Sequence, residues 1–228
     1  MYKLIAFKAV DYPDRCKMFI EGHRQVLESI GVKKVTSAND SWAQNPDVIV
    51  VIVESSEDGL IYGGARIHKA NSESPLPMVE AIQDLDSSIK DVIEQDLDSG
   101  TGEVCGLWNS RVITGLGIGA IFMVKACLAL APKLGLTSLY ALFAPTTVKL
   151  GLEIGYEVLT EVGNNGTFYY PKLDLIATAM KLHDVIGLPL TAEEHREPIF
   201  QIRNNKSLII EEVYRKRHVT LQYTSFLE

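Results

Sequence analysis

Residues 102–159 read GEVCGLWNSRVITGLGIGAIFMVKACLALAPKLGLTSLYALFAPTTVKLGLEIGYEVL. A strand, EVCGLWN (103–109), leads into a glycine-rich turn, Gly115-Leu116-Gly117-Ile118-Gly119. An apolar helix over 119–134 follows, with Gly135 in the place a helix stop prefers. Glycines let successive backbone N–H groups point inward with no Cβ in the way. A helix N-terminus adds unpaired N–H groups and a partial positive charge. Together they predict a cradle for a pyrophosphate or similar anion. A second strand, SLYALFA (138–144), comes next, then a short helix from Pro145 to Ile154 and a Gly155-Tyr156 turn into a strand over 156–162.

Two known phosphate-binding patterns do not fit this turn. A dinucleotide fingerprint needs G-x-G-x-x-G/A and an acidic residue about twenty positions later. Gly115, Gly117 and Ala120 meet the first half, but nothing acidic stands between Gly119 and Glu153. A P-loop needs Gly-Lys-Ser/Thr, and Gly119 is followed by Ala-Ile.

Working outward, YKLIAFKAV (2–10) predicts a first strand, and DYPD (11–14) predicts a cap for a helix running to about Ile30. VIVVIV (48–53) suits a strand buried on both faces, and Asp58-Gly59 a hairpin turn to LIYGGARIH (60–68). Residues 69–77 read as loop, and 78–95 as one helix with Val79, Ile82, Leu85, Ile89 and Val92 inward. After a 96–102 loop and the decisive segment, GNNG (163–166) turns into TFYYP (167–171). Helices over 173–186 and 191–204 and a last strand over 218–226 complete the expectation. Strands and helices in this mixed order predict an α/β chain whose mixed sheet is flanked by helices.

The 228 residues carry 22 Lys and Arg against 29 Asp and Glu, a net charge of −7. That balance argues against a nucleic-acid partner, which needs a surplus of cations. Hydrophobic residues make up 46%, too many for a disordered chain. No apolar run is long enough to span a membrane, and the N-terminus lacks a secretory core. Cys16, Cys105 and Cys127 are too scattered for a disulfide framework and read as reduced thiols of a cytoplasmic protein. No cysteine or histidine pair has metal-ligand spacing, so no metal is expected.

Strand, x-G-x-G-I-G, apolar helix, Leu-Gly-Leu stop, strand ending in Ala-Pro, short helix and Gly-Tyr: in this order, residues 102–159 resemble the acyl-CoA-binding core of the GNAT (Gcn5-related N-acetyltransferase) superfamily. Looser agreement of element order reaches residues 2–170. The resemblance implies a GNAT-like domain over 1–170, with a helical insertion at 69–102 and a C-terminal extension at 171–228 packed on the same domain. It implies an acyl-CoA-dependent N-acyltransferase, acetyl-CoA being the first candidate donor, acting on a small-molecule or peptide amine by direct attack on the thioester.

By the same resemblance, Thr114, Gly115, Leu116, Gly117, Ile118, Gly119 and Ala120 would hold the diphosphate, and Leu107 and Asn109 would lie along the pantetheine arm. Glu103 shares their face of the strand and is the candidate catalytic base, its plainer reading being a solvated strand-start residue. Arg66, and His23 on the first helix, are the candidate acceptor-binding residues. The family's Arg/Gln slot in the turn is Thr114, and the slot of its usual general-acid tyrosine is Gly151.

A weaker similarity links Gly64-Ala65-Arg66-Ile67 and Glu103 to the acyl-homoserine-lactone synthases, whose arginine slot is here Gly106. An acyl-carrier-protein or long-chain acyl donor therefore stays open, with Lys33-Lys34 or residues 215–218 as the basic candidates for a carrier protein. So does a module that binds acyl-CoA without catalysis. The extension is expected to cover the core or make a homodimer contact.

Overall fold

A computed structural model describes residues 1–29, 31, 40–170, 175–214 and 216–227. The chain divides into two compact units, one of Met1–Arg66, Gly106–Ala129 and Pro198–Glu228, the other of Ile67–Cys105 and Leu130–Glu197.

In the first unit, β1 (Tyr2–Lys8) leads through a single 3₁₀ turn into α1 (Pro13–Ser29). The strands β2 (Val48–Ser55) and β3 (Ile61–Lys69) follow. The C-terminal hairpin is β9 (Ser207–Tyr214) and β10 (Arg217–Ser225). Strand order is β3-β2-β1-β10-β9, with β1 antiparallel to β2 and parallel to β10. Every residue of VIVVIV is buried, as a strand covered on both faces should be. Ile5, Phe7, Val48, Val50 and Ile52 form one core with Cys16 and Phe19 of α1, Trp42 and Trp108.

The glycine-rich segment also belongs here. The end of β4 (Thr101–Asn109) reaches a one-turn helix, α4 (Arg111–Gly115), started by the Ser110 hydroxyl, which accepts the Ile113 N–H at 3.4 Å. After the turn, α5 (Ala120–Leu130) is apolar on all sides and almost wholly buried. Its one charge, Lys125, is paired with Glu212 of β9.

The second unit holds the start of β4, α2 (Pro77–Ile82), α3 (Ser88–Glu94), β5 (Ser138–Phe143), α6 (Val148–Ile154), β6 (Glu157–Val158), β7 (Thr167–Tyr170) and β8 (Leu175–Leu182). Strand order is β4-β5-β8-β6, with β7 also on β8. β4 and β5 pair in parallel only from Thr101↔Ser138 to Glu103↔Tyr140, although both strands run on. The insertion packs Leu76, Met78, Ile82, Ile89 and Ile93 against Tyr140, Leu159 and Phe168. The helix α7 (Glu193–Asn204) runs from this unit into the first.

Three expectations need correction. The single helix over 78–95 is two, because Asp86 takes the N–H and hydroxyl of Ser88 and the N–H of Gly163 on its carboxylate. Leu85, expected inward, is therefore 53% exposed. Residues 175–182 are a strand, not part of a helix over 173–186. Partners on both edges, β5 and β7, override a helix-friendly composition. Residues 207–214, left unassigned in the sequence, form β9, the partner of the expected last strand.

Candidate functional site

The turn between α4 and α5 keeps three amides for itself and leaves three open. Leu116 and Ile118 N–H donate to the Ile113 carbonyl, both at 3.0 Å, and Gly117 N–H to Thr114 at 3.1 Å. These bonds curl the chain tightly, with Gly117 at φ +88°, where a side chain would be strained. The amides of Gly119, Ala120 and Ile121 donate to no acceptor among the described residues. They are the unpaired donors of the α5 N-terminus, where the helix dipole adds positive potential. The structure thus moves the open part of the cradle from position 117 to positions 119–121.

The C-terminal hairpin, expected to cover the core or make a homodimer contact, borders this turn. A Cβ on Gly117 would meet the Arg217 side chain at 3.0 Å, and one on Gly119 would meet the Tyr214 ring at 2.7 Å. Thr114, Gly117, Gly119, Tyr214 and Arg217 line a cleft of about 310 Å³. The Arg217 guanidinium donates to the Gly115 carbonyl. An arginine therefore stands at the turn after all, supplied from β10 and not from the turn's own Arg/Gln slot. Its only signal in the sequence is the Arg215-Lys216-Arg217-His218 run. Arg215, Lys33 and Lys34 lie outside the described residues.

Thr114 and Asn109 brace the turn. Asn109 Nδ2 donates to the Ile118 carbonyl at 2.8 Å and to Thr114 Oγ1 at 3.0 Å, and Thr114 Oγ1 donates to the Ser110 carbonyl at 2.9 Å. Both side chains are thus engaged in shaping the loop. Gly115 and Leu116 are exposed, Gly117 and Ile118 buried, Ala120 and Leu107 half-buried.

In the second unit, Glu103 is 2% exposed, not a solvated strand start. Its Oε2 accepts the Met78 N–H at 2.6 Å, in the first turn of α2. The helix end stabilises the carboxylate and fixes its position. The missing tyrosine at Gly151 has a physical reason. A Cβ there would sit 2.9 Å from the Phe143 ring and 3.2 Å from Met180 Sδ. Tyr140 does not replace it. Its hydroxyl donates to Asp96 Oδ2 at 2.5 Å, and burial together with that carboxylate raises its pKa out of acid-catalyst range.

Arg66 and His23 are brought together in the first unit. Arg66 is 3% exposed, with its guanidinium carbon 4.3 Å from the centroid of Trp42 and 6.0 Å from that of Phe19. Gly106 makes room for it: its φ of +58° favours glycine, and a Cβ there would meet Arg66 Nε at 2.8 Å. His23 stacks on Trp108 at 6.4 Å and 12°. Burial, helped by the Arg66 charge, lowers its pKa from 6.5 to about 4.

That shift has a signed consequence. The unfolded chain takes up a proton at His23 near pH 6.5 and the folded chain only near pH 4, so stability is full above 6.5 and falls on acidification toward 4. The loss amounts to about 3 kcal/mol. A His23→Phe variant should unfold in urea with a midpoint less dependent on pH over this window. An unchanged dependence would show that another group is responsible.

The fold has counterparts among solved structures. FeeM, an N-acyl amino acid synthase from uncultured soil microbes, matches with a TM-score of 0.67 at 14% identity, over 86% of this chain and 98% of its own. The chain has a GNAT-like fold. An acyl-CoA N-acyltransferase from Pseudomonas aeruginosa shares this GNAT-like fold at a TM-score of 0.54 and 13% identity, over 79% of this chain and 99% of its own. BjaI, a CoA-dependent acyl-homoserine lactone synthase solved with SAM and isopentyl-CoA, matches at 0.59 and 13%, over 87% and 90%. The fold expected from residues 102–159 is therefore the fold found. No family model and no curated protein sequence matches the chain. Among the described residues, no helix is long and apolar enough to cross a membrane.

Proposed function

We propose that the chain is an N-acyltransferase that passes the acyl group of a CoA thioester, acetyl-CoA foremost, to an amine. The observation that carries this is the anion subsite at the start of α5: three undonated amides, Gly119 to Ile121, with the Arg217 guanidinium beside the turn. A fixed set of N–H donors at a helix start, joined by an arginine, suits a diphosphate. The residues therefore fit the CoA group that the fold implies.

β4 supplies the second part of the reading. Its pairing with β5 runs only from Thr101 to Glu103, and the reading takes the β5-side edge at Leu107 and Asn109 to bond an extended pantetheine arm. A β4 N–H then polarises the thioester carbonyl and stabilises the oxyanion formed by amine attack. Holding amine and thioester in register supplies most of the rate. Glu103, fixed by Met78, is the proposed collector of the amine's proton, through water. Arg66 and His23 are the proposed acceptor residues. The thioester C–S bond breaks as the amide C–N bond forms, and the thiolate leaves on CoA.

Thiol release tests this. With acetyl-CoA and longer acyl-CoA donors, free thiol should appear only when a suitable amine is added, with matching amide product. Saturable CoA binding without amine-dependent release across a broad amine panel would make the chain a binding module. Release from an acyl-carrier protein but from no acyl-CoA would reassign the donor.

A further inference from the structure

Four donors in the surroundings of Arg66 lack an acceptor. Nε and Nη1 of Arg66, Nε1 of Trp42 and Nε1 of Trp108 are all buried without a hydrogen-bond partner among the described residues. Arg66 forms no ion pair among the described residues. The four donors belong to one cluster around Phe19, whose ring is 5.6 Å from Trp42, 5.8 Å from Trp108 and 6.0 Å from the Arg66 guanidinium. A buried cation with no counter-charge is costly, and unpaired buried N–H groups add to the cost. A ligand that brings acceptor oxygens removes both costs at once.

The charge count narrows that ligand. His23 stays neutral above about pH 4, and Cys16, pushed up to about 11 by burial, stays a thiol. The cluster therefore carries the single positive charge of Arg66. A monoanion neutralises it, whereas a phosphate dianion would leave one negative charge buried among aromatic rings. A carboxylate is a monoanion whose two oxygens, each with two lone pairs, can accept from several of these donors at once. We propose that this cluster is the acceptor subsite and that Arg66 holds the carboxylate of an amino acid, whose amine is then the group acylated. The assignment of the amine as nucleophile rests on the N-acyltransferase reading above, while the carboxylate site stands on the orphaned donors.

Trp42 and Trp108 are the chain's two tryptophans, so emission excited beyond the absorption of its nine tyrosines reports on this cluster. The full chain, without CoA, is titrated with the twenty common amino acids and with the primary amide of each. At least one free amino acid should change the emission saturably, and its amide should bind tenfold or more weakly. Arg66→Gln should lose that response by tenfold or more, with Arg66→Lys recovering part of it and circular dichroism showing both folded.

Equal response to acid and amide, or none to any amino acid at 10 mM (roughly a Kd above the weak millimolar range), overturns the carboxylate site, and this comparison needs no variant. A thermal shift with acetyl-CoA, measured on the same sample, separates the two ideas. If it persists while the fluorescence arm fails, only the carboxylate site falls. If it is absent while the fluorescence arm succeeds, the carboxylate site stands and the transferase reading falls.

Discussion

Glu212→Ala should cost the fold about 3–5 kcal/mol, the usual price of leaving one partner of a buried ion pair alone. Lys125 Nζ and Glu212 Oε2 are 2.8 Å apart, with side chains only 2% and 3% exposed. Tyr223 donates to the other carboxylate oxygen at 3.1 Å, and burial with that neighbour holds the phenol well above its usual pKa. Alanine would leave an ammonium inside an otherwise apolar helix, 5.5 Å from the Phe122 ring, and a phenol without its acceptor. Urea unfolding measures the loss. The double variant Lys125→Met/Glu212→Leu should recover most of it, since well-packed apolar side chains can replace a buried pair at little cost. A single-variant loss below about 1 kcal/mol would mean that water reaches the pair. The consequence extends to the site, because this pair ties β9 to α5, and the hairpin it anchors carries Tyr214 and Arg217 to the glycine turn.

Arg217→Glu should weaken CoA about 100-fold or more, a charge reversal beside a diphosphate being worth about 3 kcal/mol. Arg217 is exposed, so the fold should survive unchanged. Isothermal titration with three ligands makes the reading specific. CoA and dephospho-CoA, which both carry the diphosphate, should lose affinity together. Pantetheine, which lacks it, should bind wild type and variant alike. Parallel losses for all three would indicate a displaced hairpin, and no loss for any would remove Arg217 from the site.

Residues 102–159 were legible because local rules and tertiary context agree there. The glycine turn, the α5 helix and the Gly135 stop, at φ +76°, each follow from short-range chemistry. β8 was misread because strands on both its edges decide its conformation, and a one-dimensional pattern holds no record of a partner as distant as Leu139 is from Leu182. Glu103 was legible as a strand-face carboxylate, but its burial under the first turn of α2 depends on where the insertion folds back. Arg217 lay in a run of four basic residues whose plainest meaning is a solvated turn. The pairing of β10 with β1 and the Lys125–Glu212 ion pair bring it near position 117, about 100 residues away in the chain. The open amides shifted for a comparable reason. The one-turn helix α4 draws Leu116 to Ile118 into its own C-terminal bonds, and five residues between strand and glycines are too few to announce a helix.

The central claim is that the start of α5 receives a thioester's diphosphate, and an amide correlation spectrum of ¹⁵N-labelled protein titrated with CoA tests it most directly. The account predicts that the signals of Gly119, Ala120 and Ile121 move the most and saturate with a single affinity, while those of Leu116, Gly117 and Ile118, already bonded within the turn, move less. CoA that saturates the protein and leaves those three amides in place, or that fails to bind at all, would contradict it.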